Sequence, residues 1–395
     1  MTGNTILTPT AVTRESLRIL HQKLNFVSKI NRTYDDSYAK EGAKIGSDLK
    51  IRQPNRYTVT SGATMVAQDT AETSTTLTVG TQKHVGMNFS TSELALSIDD
   101  FSDRIIEPAM AVLAASIEAD AMSMFLDVYN AVNNVGSAIN LNKVWTGRKL
   151  LNDNLTPMDN NRYALLNTQD SVDFMDAAKG LFHSSDQIEK QYTEGVIGRM
   201  GGFNFYENTL MPTSTTGTDA SNCTVNGSNQ TGATVTITNG SSKTFAIGDV
   251  VTFAGCNRCH PETKADTGVL HQFVVTAAVT AGGTSLAISP SITTSGATQN
   301  CVASPTTTGA ITKVGSASTV YKPSMVFHRD AFALATADLV MPKGVDFGYR
   351  DNQDGISLRL VRQYDITNDR LPARVDVLYG YKTLRAQLAA RVLSN

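Results

Sequence analysis

Residues 212–310 set the tightest limit on the fold. About a third of them are Ser or Thr, and only seven are charged. Runs that alternate apolar and polar side chains recur there: "ATVTIT", "DVVTFAG", "HQFVVTAAVT" and "TSLAIS". Short strands of this kind, separated by Gly, Asn and Ser turns, predict a small all-β barrel or sandwich. The flanks read differently. "RYALLNTQDSVDFMDAAKGLF" predicts a strand followed by a helix, and "EGVIGRMGGFNFYENTLMP" a short strand among glycine turns. Beyond the segment, "KPSMVFHRDAFALATADLVMP" resumes mixed α/β, and "RVDVLYGYKTLRAQLAARVL" is a strand-rich tail. A β domain inserted into an α/β domain explains this order. Such insertions are tolerated where their two ends lie close together on a surface.

The chain has 395 residues, enough for two or three domains. Near its start, "AVTRESLRILHQKLNFVSKIN" places Leu17, Leu20, Leu24, Val27 and Ile30 at helical spacing, with Thr13 as the expected N-cap. Residues 46–90 are rich in Thr and Val and predict two long antiparallel strands with a polar tip. Few large side chains are available to bury, and so thin a hairpin does not stand alone. It is expected to lie on something else, such as a neighbouring subunit. Next, Ile117, Ala121, Met124 and Val128 share one helical face. A helix over 100–133 would be roughly 50 Å long at 1.5 Å per residue. Asp99, Asp100 and Asp103 suit its positive end, and Pro108 either kinks it or marks its start. Charge is split along this region. Residues 1–57 hold ten Lys/Arg against five Asp/Glu, and residues 58–135 hold two against ten. Such asymmetry steers one copy of a chain onto another.

Several functions find no support. Net charge is -2, which excludes a polycation built for nucleic acid. No run of about 18 apolar residues stands out, so no transmembrane helix is expected. The start, "MTGNTILTPT", lacks a basic and then apolar region, so no secretory signal is expected. In a cytoplasm the four cysteines should be thiols. The nucleophile elbow, the phosphate-binding loop, the dinucleotide fingerprint and the H-E-x-x-H zinc motif do not occur. "GRMGGFNF" reads as a turn, and "RDNQDGISL" as a hairpin turned at Asp354-Gly355 rather than a calcium loop. The six histidines are scattered. Four N-x-[ST] sequons, at Asn222, Asn226, Asn229 and Asn239, follow from a segment so rich in these residues.

One motif invites chemistry. "AGCNRCHPET" holds Cys256, Cys259 and His260, the C-x-x-C-H spacing of haem attachment. Haem needs export, a distal ligand and a mostly helical wrap, none of which is expected here. A structural metal would use Cys256 and Cys259, completed by Cys223, Cys301, His260 or His271. A disulfide formed after lysis and unligated thiols in a loop are the alternatives. No catalytic residue and no cofactor is assigned.

The ordered set of parts resembles the major capsid proteins of tailed phages. The nearest resemblance is to coat proteins of short-tailed Salmonella phages and their relatives. It is carried by "VGTQKHVGMNFSTSELAL", "YALLNTQDSVDFMDAAKGLF", "EGVIGRMGGFNFYENTLMP", "FAIGDVVTFAGC" and "MVFHRDAFALA", which together span nearly the whole chain. The resemblance implies an α+β, Hong Kong 97-like capsid fold with an inserted small β-barrel. It implies an N-terminal arm at 1–45, an extended loop hairpin at 46–90, and the spine helix and peripheral domain at 91–144. The axial domain's first part would be 145–211, the inserted barrel 212–310, and the second axial and peripheral part with the C-terminal strands 311–395. The implied partners are further copies of the chain in hexamers and pentamers, a scaffolding protein, a portal, and packaged double-stranded DNA held without sequence-specific contacts. No membrane is implied. Assembly would take place in the bacterial host cytoplasm, and the product would be the virion capsid. Some members cross-link through a Lys on the extended loop; residues 58–82 contain no Lys, so a non-covalent shell is expected. The competing reading is a β-rich phage tail or surface adhesin protein, against which the long helix argues. A metal or haem enzyme would rest on "CNRCH" alone.

Overall fold

The structure is a computed structural model that describes residues 9–32, 47–65, 67–69, 72–89, 106–178, 197–239, 243–353, 356–368 and 370–394. In chain order the first elements are α1 (Pro9–Lys23), β1 (Ser47–Arg52), β2 (Ser74–Val79), β3 (Thr81–Phe89) and α2 (Glu107–Met122). Then come β4 (Ala131–Asn133), α3 (Leu141–Asp153), β5 (Arg162–Leu166), α4 (Thr168–Ala178), β6 (Arg199–Met200) and β7 (Phe203–Glu207). The Ser/Thr-rich segment holds β8 (Ser214–Thr215), β9 (Thr224–Val225), β10 (Gly232–Thr238), β11 (Val250–Cys259), β12 (Asp266–Val275) and β13 (Ser285–Ile292). After it follow β14 (Ile311–Lys313), β15 (Val320–Tyr321), β16 (Ser324–His328), β17 (Phe332–Ala337) and β18 (Phe347–Gln353). The last strands are β19 (Ile356–Arg362), β20 (Leu371–Thr383) and β21 (Ala389–Leu393). Two compact units form: Met1–Gln53, Ser74–Ala121 and Phe332–Lys382 make one, and Pro54–Thr73, Met122–Ala331 and Thr383–Asn395 the other.

The first unit is built on β20. This strand pairs with β19 from Ala373 to Asp376 and with β3 along nine residues, from Leu371↔Phe89 to Tyr379↔Thr81. β18 pairs with β19 in turn, and Gln353↔Ile356 closes that hairpin as the Asp354-Gly355 reading expects; the two turn residues lie outside the described ones. The apolar stripe of the arm is buried, with Leu17, Leu20, Leu24, Val27 and Ile30 at 3% exposure or less. Each such side chain contributes about 1.5–3 kcal/mol relative to exposure. The helix itself differs from expectation. It begins at Pro9, a residue preorganised for the first helical position, and Thr13 is buried inside it rather than capping it. It ends at Lys23, because the N–H groups of Phe26 and Val27 donate to the Glu118 carboxylate instead of extending the helical ladder.

Two further expectations are corrected. The extended loop pairs only from Ser47↔Val79 to Arg52↔Ser74, and the described residues between form no strand. β3 leaves this ribbon to join β20. The spine helix is shorter than 100–133. α2 is followed by a tighter 3-10 turn, Ser123–Asp127, and then by β4. Residues 100–105 lie outside the described ones. The helix stops because β4 finds a parallel partner in β21, and because the Asn130 side chain donates to the Ala389 carbonyl at 2.9 Å. Pro108 is the second residue of α2 as described, and the residues before Ile106 lie outside the described ones. The stretch Glu107–Asp127, 21 residues, is long and apolar enough to cross a membrane by length and composition. That departs from the sequence expectation, although half of its most apolar window is buried inside the protein.

The second unit holds a six-stranded sheet, ordered β4-β21-β16-β5-β7-β6, and a barrel. The strand and helix predicted from "RYALLNTQDSVDF" are β5 and α4. Gly201 and Gly202 make the two-residue turn between β6 and β7, with φ of 59° and 86°, values that favour glycine. Val144, Leu151 and Phe174 of the helices pack with Leu166, Phe205 and Val326 of the sheet. α3 lies so close to β16 that a Cβ on Gly147 would stand 2.8 Å from Val326. "KPSMVFHRDAFALATADLVMP" forms β16, one 3-10 turn and β17, with no α-helix.

All four alternating runs are strands: β10, β11, β12 and β13. Their sheet is ordered β14-β11-β12-β13-β10-β9, and its two ends meet. Thr224 of β9 bridges Ala310 beside β14, and the Val225 N–H donates to the Gly309 carbonyl at 3.0 Å. The sheet is therefore closed, which removes free strand edges. Val235, Ile237, Phe253, Phe273, Leu286 and Ile288 are among the side chains that fill it. The chain enters and leaves by paired strands, β8 and β15, through Val320↔Thr215 and Tyr321↔Ser214. Adjacent entry and exit are what an inserted domain requires.

Candidate functional site

The cysteines are part of the barrel's packing. Cys223, Cys256, Cys259 and Cys301 are all buried free thiols. Cys256 and Cys259 both lie on β11, whose register against β12 shifts on either side of Asn257. The Cys259 thiol donates to the Gln299 carbonyl at 3.3 Å, and the Cys223 thiol to Asn239 Oδ1 at 3.1 Å. Cys256 and Cys301 come together through a hydrogen bond between their side chains, which with burial and the nearby Cys259 pushes the Cys301 thiol up. Burial pushes the Cys259 thiol up as well. His260 turns away into a loop, where its Nδ1 accepts the Thr263 N–H at 3.2 Å. His271 stacks on Phe273 with ring centroids 4.6 Å apart, and burial lowers its pKa to about 4. Among the described residues, no group of three or more His, Cys, Asp or Glu side chains is placed to hold a metal.

The denser chemistry lies where the barrel meets the sheet. Lys313 Nζ and Asp249 Oδ2 form an ion pair at 2.8 Å, with side chains 4% and 1% exposed. The same carboxylate oxygen accepts the N–H groups of Ala246 at 2.9 Å and Gly217 at 3.1 Å. The lysine also donates to the Thr218 carbonyl at 2.6 Å and lies over the Phe245 ring. From β21, the buried Arg391 donates to the Gly248 carbonyl and faces Phe125. Burial lowers its pKa to about 10, against the attraction of Asp249 and Asp127. Gln272 of β12 grips the Ala131 backbone of β4 twice, accepting its N–H at 2.8 Å and donating to its carbonyl at 2.9 Å. Arg258 of β11 reaches Asp153 at the end of α3 at 2.7 Å. Sequence reasoning missed this joint. The available signal was scarcity: Asp249 and Arg258 are two of only seven charges between 212 and 310, and both are buried.

Large apolar side chains also stand outside any core. In the loop between β1 and β2, Tyr57 is 57% exposed, Val59 97% and Met65 86%. The loop is nevertheless held: the Thr58 N–H donates to Gln68 Oε1 at 2.9 Å, and Gln68 Nε2 donates back to the Thr58 carbonyl. Ile366 is 84% exposed in the turn between β19 and β20.

A mixed α+β chain with an inserted, closed β-barrel has the Hong Kong 97-like capsid fold. The chain belongs to the P22 coat protein (gene protein 5) family, whose model matches residues 43–392. It is a tailed-phage major capsid protein and forms the phage shell. No curated protein matches it. Among solved structures it is similar to one from Mycobacterium phage Che8, at 11% identity and a TM-score of 0.48, covering 93% of this chain and 90% of that one. The asymmetric unit of the bacteriophage PhiM1 mature capsid is similar at 9% identity and a TM-score of 0.42, covering 88% and 82%. The capsid of an empty GTA particle is similar at 11% identity and a TM-score of 0.41, covering 100% and 94%. Family membership, rather than helix length, sets aside the tail or adhesin reading.

Proposed function

We propose that copies of this chain assemble as hexamers and pentamers, without covalent cross-links, into an icosahedral shell around double-stranded DNA. The supporting observation is the loop on which Val59 and Met65 are almost fully exposed and Tyr57 more than half exposed. Isolated exposed apolar residues are ordinary, but three on one polar loop form a surface that a neighbour can cover. Residues 1–45 serve as the arm, 46–90 as the extended loop, and 91–144 as spine and peripheral domain. Residues 145–211 and 311–395 supply the axial and remaining peripheral parts, and 212–310 the barrel, on the shell's outer face. The absence of Lys from residues 58–82 supports non-covalent contacts, and summed weak contacts suffice for a closed shell. DNA is held by confinement, in keeping with a net charge of -2. The protein acts structurally, not as an enzyme. A scaffolding protein meets the arm or inner face by charge complementarity, a portal completes the shell, and assembly takes place in the host cytoplasm. Added salt should then weaken scaffold binding. Replacing Tyr57, Val59 and Met65 together by Ser tests the loop's role. The folded subunit should remain and closed particles should disappear from electron micrographs. Particles in normal yield would refute it.

A further inference from the structure

Glu118 lies on the spine helix α2, yet its carboxylate serves another part of the chain. It is 1% exposed. Its oxygens accept the N–H groups of Phe26 at 3.1 Å and Val27 at 3.3 Å, and the Asn25 N–H also bonds to it. Three successive backbone donors thus end on one carboxyl group that is buried and that, among the described residues, no cation meets, so its charged form is costly there. The charged groups around it are otherwise occupied. Lys23 of the arm pairs with Glu107 of α2 at 3.0 Å. Lys83 of β3 pairs with Asp120 at 2.6 Å, and the Tyr379 hydroxyl of β20 donates to the same Asp120. Lys29 and Arg32, further along the arm, have interactions of their own. β17 packs Phe332 edge-on against Phe26, with centroids 5.8 Å apart, and carries no ionisable side chain.

We propose that Glu118 is the positioning residue of the N-terminal arm: its carboxyl group seats the Asn25–Val27 turn on the spine helix, and the turn lifts as that group loses its proton. The proposal rests on the reading of residues 1–45 as the arm. Its sign follows from linkage. Burial raises the Glu118 pKa from 4.5 to about 7, outweighing the three N–H bonds that pull it down. Once the turn lifts and water reaches the carboxyl, the ordinary value applies. Between the two values the seated state binds a proton that the lifted state has lost, so falling pH favours seating and rising pH favours lifting. Over pH 6 to 8 the lifted population should grow about tenfold.

Amide hydrogen exchange of the full chain tests this, with rates corrected for the intrinsic pH dependence of exchange. Protection factors at Phe26 and Val27 should fall about tenfold from pH 6 to pH 8, while those of β19 amides stay constant. In Glu118→Gln, which keeps the shape and one acceptor oxygen but cannot ionise, the fall should vanish. Equal protection at both pH values in the wild type would overturn the proposal without recourse to the variant, as would an unchanged slope in Glu118→Gln. Assembly of a chain lacking residues 1–31 tests the arm reading separately: normal shells from it would remove the arm's role and leave the exchange result standing.

Discussion

Asp249 shows how one side chain can pin together the two ends of an inserted barrel. Its buried carboxylate answers Lys313 and two backbone N–H groups at once. Removing one partner of a buried pair leaves an uncompensated charge, which costs about 3–5 kcal/mol. Asp249→Ala should therefore lower the denaturation free energy of the full chain by that amount in urea titrations; a loss below about 1 kcal/mol would show that the pair is not buried as described. Glu118 differs in kind. Among the described residues no cation answers it, so burial raises its pKa, and on the proposal above the arm's seat depends on pH. Neither role was legible in the sequence. Asp249 stands in "IGDVV" and Glu118 in "ASIEADA", and nothing in their neighbours reveals the backbone groups that reach them from far along the chain.

Strands and joints were legible to different degrees. The four alternating runs fix β10 to β13, because period-two patterning records which face is buried. The drop in charge signalled an insertion, yet the composition shift fades at 310 while β14, Ile311–Lys313, pairs into the same sheet. Helix ends were poorly legible. α1 and α2 both stop short of their apolar stripes, because a carboxylate and a strand partner from elsewhere claim the backbone. C-x-x-C-H suggested a ligand set, but its groups bond elsewhere: Cys256 with Cys301, Cys259 with the Gln299 carbonyl and His260 with the Thr263 N–H. Gln272 is a joint of the same distant kind, imitating a strand by bonding both backbone groups of Ala131. Gln272→Ala should cost about 1–3 kcal/mol, since the buried Ala131 N–H loses its acceptor. Exchange at Ala131 should rise while the amides of β10 and β13 keep their protection. Loss of protection throughout the barrel would mean that the joint folds the barrel rather than attaching it.

The whole chain makes sense only among copies of itself. It closes the edges of its barrel, ties that barrel to its neighbouring elements through Arg391, Gln272 and Arg258, and exposes apolar side chains on a polar loop. Family membership fixes this as shell building. The decisive measurement is electron microscopy of the purified 42.4 kDa chain, expressed with and without a scaffolding protein. Closed shells of hexamers and pentamers should form, with density for residues 212–310 on the outer face. Monodisperse monomers under every condition, or shells with that density turned inward, would contradict the assembly described here.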